Sequence, residues 1–386
     1  MGCMAHTVDI KNLVFADDSF YKTQRVVIGG KSVFTPIKAI DLNKSHSDVG
    51  INRLVRGINE VYTMFNPDRV KRILTTDLEQ RVNNEVEQKY RKFGMSDEMN
   101  LCFAEFECDK FPTKGELEYL TNFSYVHSDI TPLPLLPKIA RNITADNIGQ
   151  YQKFVKEAVK TIEDMNNKPI MGIIPMPVPS AYMSMVVETY LDSGITAFCL
   201  DFQGSTVNSS KTKIRALVKA MKKEDLLEKS FIYSLNLGAG KLPKEKEVVP
   251  AKDILSFGCG FDVIGGQHIR KKLSPEVRAK ILGARQMFVN SLRLFSKKDY
   301  GYYRATKKET VEQVYPSDSS IPLERLKKIG SNQGIDKLFN QEQQGFEAVN
   351  LRTVIREEHD LLKYLGKKQN VEKGDIKMLE SIKKKP

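Results

Sequence analysis

The chain is 386 residues long and carries 60 Lys and Arg against 48 Asp and Glu, a formal charge of +12, with a pI near 9.2 and a mean hydropathy of −0.37. The length predicts two domains or one large barrel with an appendage. The charge favours a polyanionic partner such as nucleic acid, although Lys-rich proteomes also make basic proteins without one. No apolar run approaches the roughly 20 residues that a bilayer requires, which argues against a membrane-spanning class.

The opening MGCMAHTVDIKNLVF lacks the basic-then-apolar layout of a signal peptide. It also lacks the Ser or Thr that a myristoylation motif wants at its sixth position. The five cysteines, Cys3, Cys102, Cys108, Cys199 and Cys259, form no C-x-x-C pair. They predict reduced thiols and a cytoplasmic protein. The five histidines are dispersed too, so neither a metal nor a cofactor is expected.

In chain order, VVIGGKSVFTPIKAI at 26–40 reads as a hairpin turning at Gly29-Gly30. Its GGKS lacks the upstream glycine spacing of a phosphate loop. MNLCFAEFEC at 99–108 alternates as a strand does, with Glu105 and Glu107 towards its end. FSYVHSDITPLPLLP at 123–137 reads as a short strand entering a proline-rich loop. Thr144 is the expected cap of a helix carrying Phe154, Val155, Ala158, Val159, Ile162 and Met165 at helical spacing. Strands are then predicted at 168–179, 194–205, 230–240 and 261–266, and helices at 180–192, 211–223, 250–260 and 273–295, the last with Ser274 as cap and Pro275 in its first turn.

Strands alternating with helices mean βα units and a parallel sheet, and strands apolar throughout are those buried on both faces. No G-x-G-x-x-G follows the first strand, so an α/β (β/α)8 TIM-type barrel is favoured over a doubly wound fold. Beyond about 300 the texture turns polar, then helical, with Leu351, Val354, Ile355, Leu361, Leu362 and Leu365 as an apolar side. The expected organisation is a barrel over 1–298 and a mainly helical C-terminal appendage over 299–386. Its basic tail is either a solvated end or a phosphate-contacting arm.

A barrel of this type does its chemistry at the carboxyl ends of its strands. Glu105, Glu107, Asp129, Asp201 and Asp262 are the acids placed near strand ends, where burial and mutual repulsion shift pKa values. Each has a structural alternative. Glu105 and Glu107 would face solvent on an edge strand, Asp129 would cap a turn, and Asp201 and Asp262 would bond loop amides. His127 and His268 are structural or surface residues on the same reasoning, or else catalytic.

The order of several segments resembles the tRNA-guanine transglycosylase superfamily, especially its archaeal branch and its DNA-modifying relatives. They are GGKSVFTPIKAI, HSDITPLPLLPKIARNITADNIGQYQKFVKEAVK, KPIMGIIP, GITAFCLDFQGS and FIYSLNLGAGKLP followed by AKDILSFGCGFDVIGG. The similarity spans about 26–365. It implies exchange of guanine for a 7-deazaguanine, such as a queuosine or archaeosine precursor, in tRNA or DNA. An aspartate attacks C1′ and a covalent intermediate forms on an extruded nucleotide. On this resemblance Asp262 is the nucleophile and Glu105 or Glu107 the acid/base partner. Asp129, Asp201, Gln203, Gly204, Gly238, Gly265 and His268 bind substrate.

The chain departs from that family's pattern. Ser317 and Ser319 stand near two zinc cysteines, and no His lies near Asn350, so no zinc is expected. The Asp-Ser-Gly-Gly-Phe-Gln signature is absent, with Glu105 or Glu107 nearest to it; the base-recognising Asp falls near Leu135 and the pocket Gln near Pro175. The family has two aspartates three apart in the nucleophile segment, and the second attacks. One register puts Asp262 on the attacking position; the other puts Gly265 there. The second register implies a non-catalytic homologue that binds nucleic acid as a partner subunit, or different chemistry. A homodimer and a heterodimer are both compatible with the sequence.

Overall fold

The computed structural model describes residues 8–384, apart from 77, 166–167, 241–242, 244, 270–275, 277–290, 330–333 and 359. It is a mixed α/β structure whose largest sheet has six parallel strands. These are β4 (Ile37–Lys38), β8 (Thr131–Pro132), β9 (Ile170–Pro175), β10 (Ala197–Asp201), β11 (Phe231–Leu235) and β13 (Val263–Ile264), in the order β4-β13-β11-β10-β9-β8. A second parallel sheet holds β5 (Ile40–Asp41), β6 (Ile58–Phe65) and β7 (Met99–Phe106).

The two sheets are joined at both edges. Only Ala39 separates β4 from β5, and its N–H donates to Ile264 O at 3.0 Å. At the other edge, Leu135 N donates to Ala104 O at 2.9 Å and Phe106 N to Leu135 O at 2.8 Å. Among the described residues, the parallel pairings thus run on from one sheet to the other at each of these edges. β9, β10 and β11 are buried at every position, as unbroken apolar runs require when both faces are covered.

Helices α1 (Pro67–Thr75) and α2 (Leu78–Phe93) follow β6, and α3 (Lys114–His127) follows β7. After β8 come α4 (Pro137–Arg141) and α5 (Ile148–Glu163), then α6 (Met183–Leu191) after β9 and α7 (Lys211–Lys223) after β10. The segment 123–127 is thus the last turn of a helix, not a strand. Thr113 and Glu116 form a reciprocal capping box, and Leu117, Leu120, Phe123 and Ser124 recur at helical spacing on the buried side. The cap of α5 is Asn147 rather than Thr144. The helix expected over 273–295 lies mostly outside the described residues. Its end, Leu292–Ser296, is a strand (β14) paired antiparallel with β15 (Gly301–Ala305), which also pairs with β12 (Val248–Pro250).

An antiparallel meander of β1 (Asp9–Phe15), β2 (Lys22–Ile28) and β3 (Lys31–Thr35) precedes the parallel strands. Gly29 and Gly30 have φ of 54° and 82°, the two left-handed positions of the tight hairpin expected there. The 298/299 boundary falls between β14 and β15, inside one hairpin. The long helix Ile335–Glu357 contacts β4, β2 and β14, and the helix Lys373–Lys384 contacts α7. The basic tail therefore carries a docked helix, in which Asp375 is buried and pairs with Lys252 at 2.7 Å. Ser319 Oγ donates to Glu342 Oε2 at 2.5 Å and Asn350 Nδ2 to Tyr364 OH at 2.7 Å, while Ser317 is exposed.

Candidate active site

Asp262 sits immediately before β13, at the amino end of the parallel strands. Its Oδ1 accepts from Gln24 Nε2 at 2.8 Å and Thr35 Oγ1 at 2.9 Å. Its Oδ2 accepts from Ile232 N at 2.8 Å and pairs with Lys22 Nζ at 3.0 Å. Asp262 and Lys22 are both buried. Burial raises the Asp262 carboxyl, and Lys22, the Ile232 amide and Thr35 pull it back. Both oxygens are thus engaged by the β2–β3 hairpin and a strand amide, at the end of the strands opposite the one where the sequence reading puts the chemistry. Asp129 does the same job next door: its Oδ2 accepts from Asn100 N at 2.7 Å and pairs with Lys31 Nζ at 2.8 Å. Asp129 thus stands at the amino end of the strands, apart from the acids at their carboxyl ends.

A different set of polar side chains meets at the carboxyl ends. Glu60, on β6, is buried. It accepts from the Tyr233 hydroxyl and from Gly266 N (2.9 Å to Oε2), and it contacts His268 Nε2. Burial works to raise the Glu60 carboxyl, but His268, Lys38 and the Tyr233 hydroxyl outweigh it and hold it at about 2. Gly265 and Gly266 make this approach feasible. A Cβ on Gly265 would strike the Tyr233 ring and come within 2.6 Å of Glu60 Oε2, and one on Gly266 would lie 2.5 Å from Glu60 Oε1. These two glycines admit a protein carboxylate.

His268 stacks on Tyr62, with centroids 4.2 Å apart and planes 8° from parallel. Its Nδ1 lies 3.7 Å from Asp41 Oδ2. Lys38 is also buried and donates to Ile264 O at 3.1 Å and Gly265 O at 2.7 Å; burial lowers its ammonium to about 8. One ligand atom from each of Asp41, Glu60 and His268 lies within 4.8 Å of the others. The donor set does not favour a cation there. Lys44 pairs with Asp41, protons from Tyr233 and Gly266 occupy Glu60, and Lys38 supplies positive charge beside them.

Tyr62 connects this cluster to two acids picked out in the sequence. Its hydroxyl donates to Glu105 Oε2, and the Asn236 side chain pulls that hydroxyl down against the effect of burial. Asn236 Nδ2 in turn donates to Asp201 Oδ1 at 2.9 Å. Glu105 and Asp201 therefore sit at the ends of one polar relay, in which the Tyr62 hydroxyl holds Glu105 and the Asn236 amide holds Asp201. Burial raises the Glu105 carboxyl, and the charges of Asp201 and Glu107 raise it further against the pull of the Tyr62 hydroxyl. Burial also raises Asp201, opposed by Asn236 and by the amide and side chain of Gln203. Asn236 and Gln203 hold left-handed backbones, with φ of 55° and 46°. That is an uncommon conformation for residues other than glycine, and it concentrates at functional sites.

Of the predicted site residues, the carboxyl ends gather Glu105, Asp201, Gln203, Gly265 and His268. Glu107 lies beside them, lining a cavity that also exposes Tyr62. Gly204 and Gly238 pack on each other: a Cβ on Gly238 would collide with Gly204 O, so their service is to backbone packing. His127 lies on α3 and contacts Asn83 Oδ1 at 3.0 Å, away from this cluster. Sequence reasoning missed Lys38, Asp41, Glu60, Tyr62, Tyr233 and Asn236. Lys44, Lys89, Lys138 and Arg141 surround the cluster on neighbouring loops and helices, each anchored by a hydrogen bond to a loop or strand-end group.

No family model matches the chain, and no curated protein is significantly similar to it. Among solved structures, the X-ray crystal structure of the YdjI aldolase from Escherichia coli K12 is 10% identical. The alignment covers 66% of this chain and 82% of that chain, with a TM-score of 0.34, too low to bear on chemistry here. Among the described residues, no helix is long and apolar enough to cross a membrane.

Proposed function

We propose that the chain is a (β/α)8 barrel that works on nucleic acid at the carboxyl ends of its strands, exchanging guanine for a 7-deazaguanine base, with Glu105 and Asp201 as its working carboxyls. The observation that carries this reading is the relay Glu105–Tyr62–Asn236–Asp201. Burial raises both carboxyls, and the Asp201 charge raises Glu105 further; one ionised and one protonated acid is the pair that glycosidic chemistry uses. Glu105, the less buried, attacks C1′. The C1′–N9 bond breaks towards the base, which takes the proton of Asp201. In the return half, the incoming base gives its N9 proton to Asp201, bonds to C1′ and displaces the Glu105 carboxylate. The surrounding Lys and Arg side chains suit a phosphate backbone.

A second reading rests on Gly265. It stands at the carboxyl end of β13, where the family register would place an attacking aspartate, and it has no side chain to offer. On this reading the chain binds nucleic acid without exchange, as the partner of an active homologue. Incubation with labelled guanine or a 7-deazaguanine and either tRNA or duplex DNA separates the two. Label incorporated by the wild type and lost in Glu105→Gln supports exchange. Salt-sensitive binding without incorporation supports the second reading, and no binding at physiological salt sinks both.

A further inference from the structure

Two cavities open side by side along α1. One, of about 390 Å³, lies between the end of β6 and α2 and has Tyr62, Lys89, Glu85 and Glu107 among its walls. The other, of about 530 Å³, runs over α1 past Asp68, Lys71 and Arg72. Asn66 and Arg69 line both. Arg69 is held at the junction: an NH1 proton goes to Met64 O at 2.6 Å, and its guanidinium lies 4.9 Å from the centre of the Phe65 ring. The charges of the two cavities differ. In the inner one, Glu85 and Glu107 balance Arg69 and Lys89. In the outer one, Arg69, Lys71 and Arg72 face the single acid Asp68.

We infer that these cavities form one binding track for a single-stranded nucleic-acid segment, with phosphates over α1 and one sugar and base in the inner cavity beside Tyr62. The charge-balanced inner cavity suits an uncharged sugar and base, and its volume lies within the range of small-ligand sites. The net-positive outer groove suits phosphates, which Arg grips bidentately and Lys as a point charge. The inner cavity is walled in part by Tyr62, whose hydroxyl donates to Glu105, so an extruded nucleotide seated there is one side chain removed from Glu105. The track rests on the reading that this chain acts on nucleic acid, and it gives that reading its entry side.

The test is fluorescence anisotropy with labelled 12-nucleotide single strands of DNA and of RNA, titrated from 50 to 200 mM salt. Three proteins are compared: wild type, Lys71→Ala/Arg72→Ala, and Lys156→Ala/Lys160→Ala on the exposed side of α5. All four lysines and arginines are exposed, so the fold should survive each change. The expected result is affinity at least 5-fold weaker for K71A/R72A, with a shallower salt slope by about 0.7 per lost phosphate contact, and little change for the α5 pair. Equal losses in both double variants, or none in K71A/R72A, would overturn the track. So would a nucleoside monophosphate binding as tightly as the oligonucleotide, which assigns the groove to free nucleotides, or polyglutamate competing equally well, which assigns it to acidic peptides. Failure of base exchange with the K71A/R72A effect intact would refute the exchange chemistry and leave the track standing.

Discussion

The two ends of the parallel strands treat their buried and half-buried acids in opposite ways. At the amino end, Asp262 and Asp129 each face a lysine from the β2–β3 hairpin and backbone amides from the strands. At the carboxyl end, Glu105 is held by a phenol and Asp201 by an amide, burial holds both carboxyls above their ordinary range, and the Asp201 charge raises Glu105 further. An acid with a private cation is spent on the fold. An acid whose partners are neutral and whose neighbour is another acid keeps a proton to move. Burial alone does not separate them, since Asp262 and Asp201 are both buried and both raised.

The contrast can be broken experimentally. The largest expected effect is Glu105→Gln: base exchange should fall by roughly 10²- to 10⁴-fold, the usual worth of a positioned acid or base, with the unfolding midpoint little changed. Asp262→Ala should do the reverse. It strands the Lys22 ammonium and should cost about 3–5 kcal/mol in urea unfolding, while the fraction that stays folded keeps its exchange rate. If Asp262→Ala folds normally and Glu105→Gln unfolds, the two ends have been assigned the wrong way round.

Smaller effects sharpen the same contrast. Gly265→Ala places a methyl against the Tyr233 ring and Glu60, and should destabilise by about 1–3 kcal/mol. A neutral thermal shift would show that Glu60 is not fixed where this structure has it. Asp201→Asn tests the raised carboxyl through pH. A folded pKa above the unfolded value, about 3.9 for Asp, gives stability that is full below the unfolded value and lost as pH rises through the folded one. The wild type should therefore lose stability relative to Asp201→Asn as pH climbs from about 4. A gap between their urea midpoints that is independent of pH would contradict the shift.

Much of the strand-and-helix order was legible, because the signals were local. The apolar runs of β9, β10 and β11 and the amphipathic pattern of α7, found at the expected 211–223, need only their own residues to be read. Two segments misled for a physical reason. Residues 123–127 have strand-like aromatic and β-branched composition, but the capping box at Thr113 and Glu116 had already begun a helix. Residues 292–296 follow a helical pattern, but pairing with the distant 301–305 makes them a strand. The polar, buried face of the helix Ile335–Glu357 was hidden because its partners are remote: Glu342 accepts from Asn52 N at 3.0 Å.

The candidate site was half legible. Glu105, Asp201, Gln203 and His268 stand out at strand ends, next to glycines or polar runs. Glu60 and Tyr62 lie within INEVYTMF, where polar residues among apolar ones read as the wet side of a half-exposed strand. Their burial depends on the pairing of β6 with β5 and β7, which its own residues do not reveal. Asp262 stood out for the glycines around it, yet Gly265 and Gly266 make room for Glu60, and Asp262 belongs to the opposite end.

The most direct measurement is the position of the covalent adduct. The protein is mixed with guanine-containing nucleic acid in the absence of incoming base, quenched and digested, and the peptide carrying the nucleotide is sequenced by mass spectrometry. The expected adduct is an ester on Glu105, absent in Glu105→Gln and unchanged in folded Asp262→Asn. An adduct on Asp262 would contradict the assignment of the working acids to the carboxyl ends of the strands.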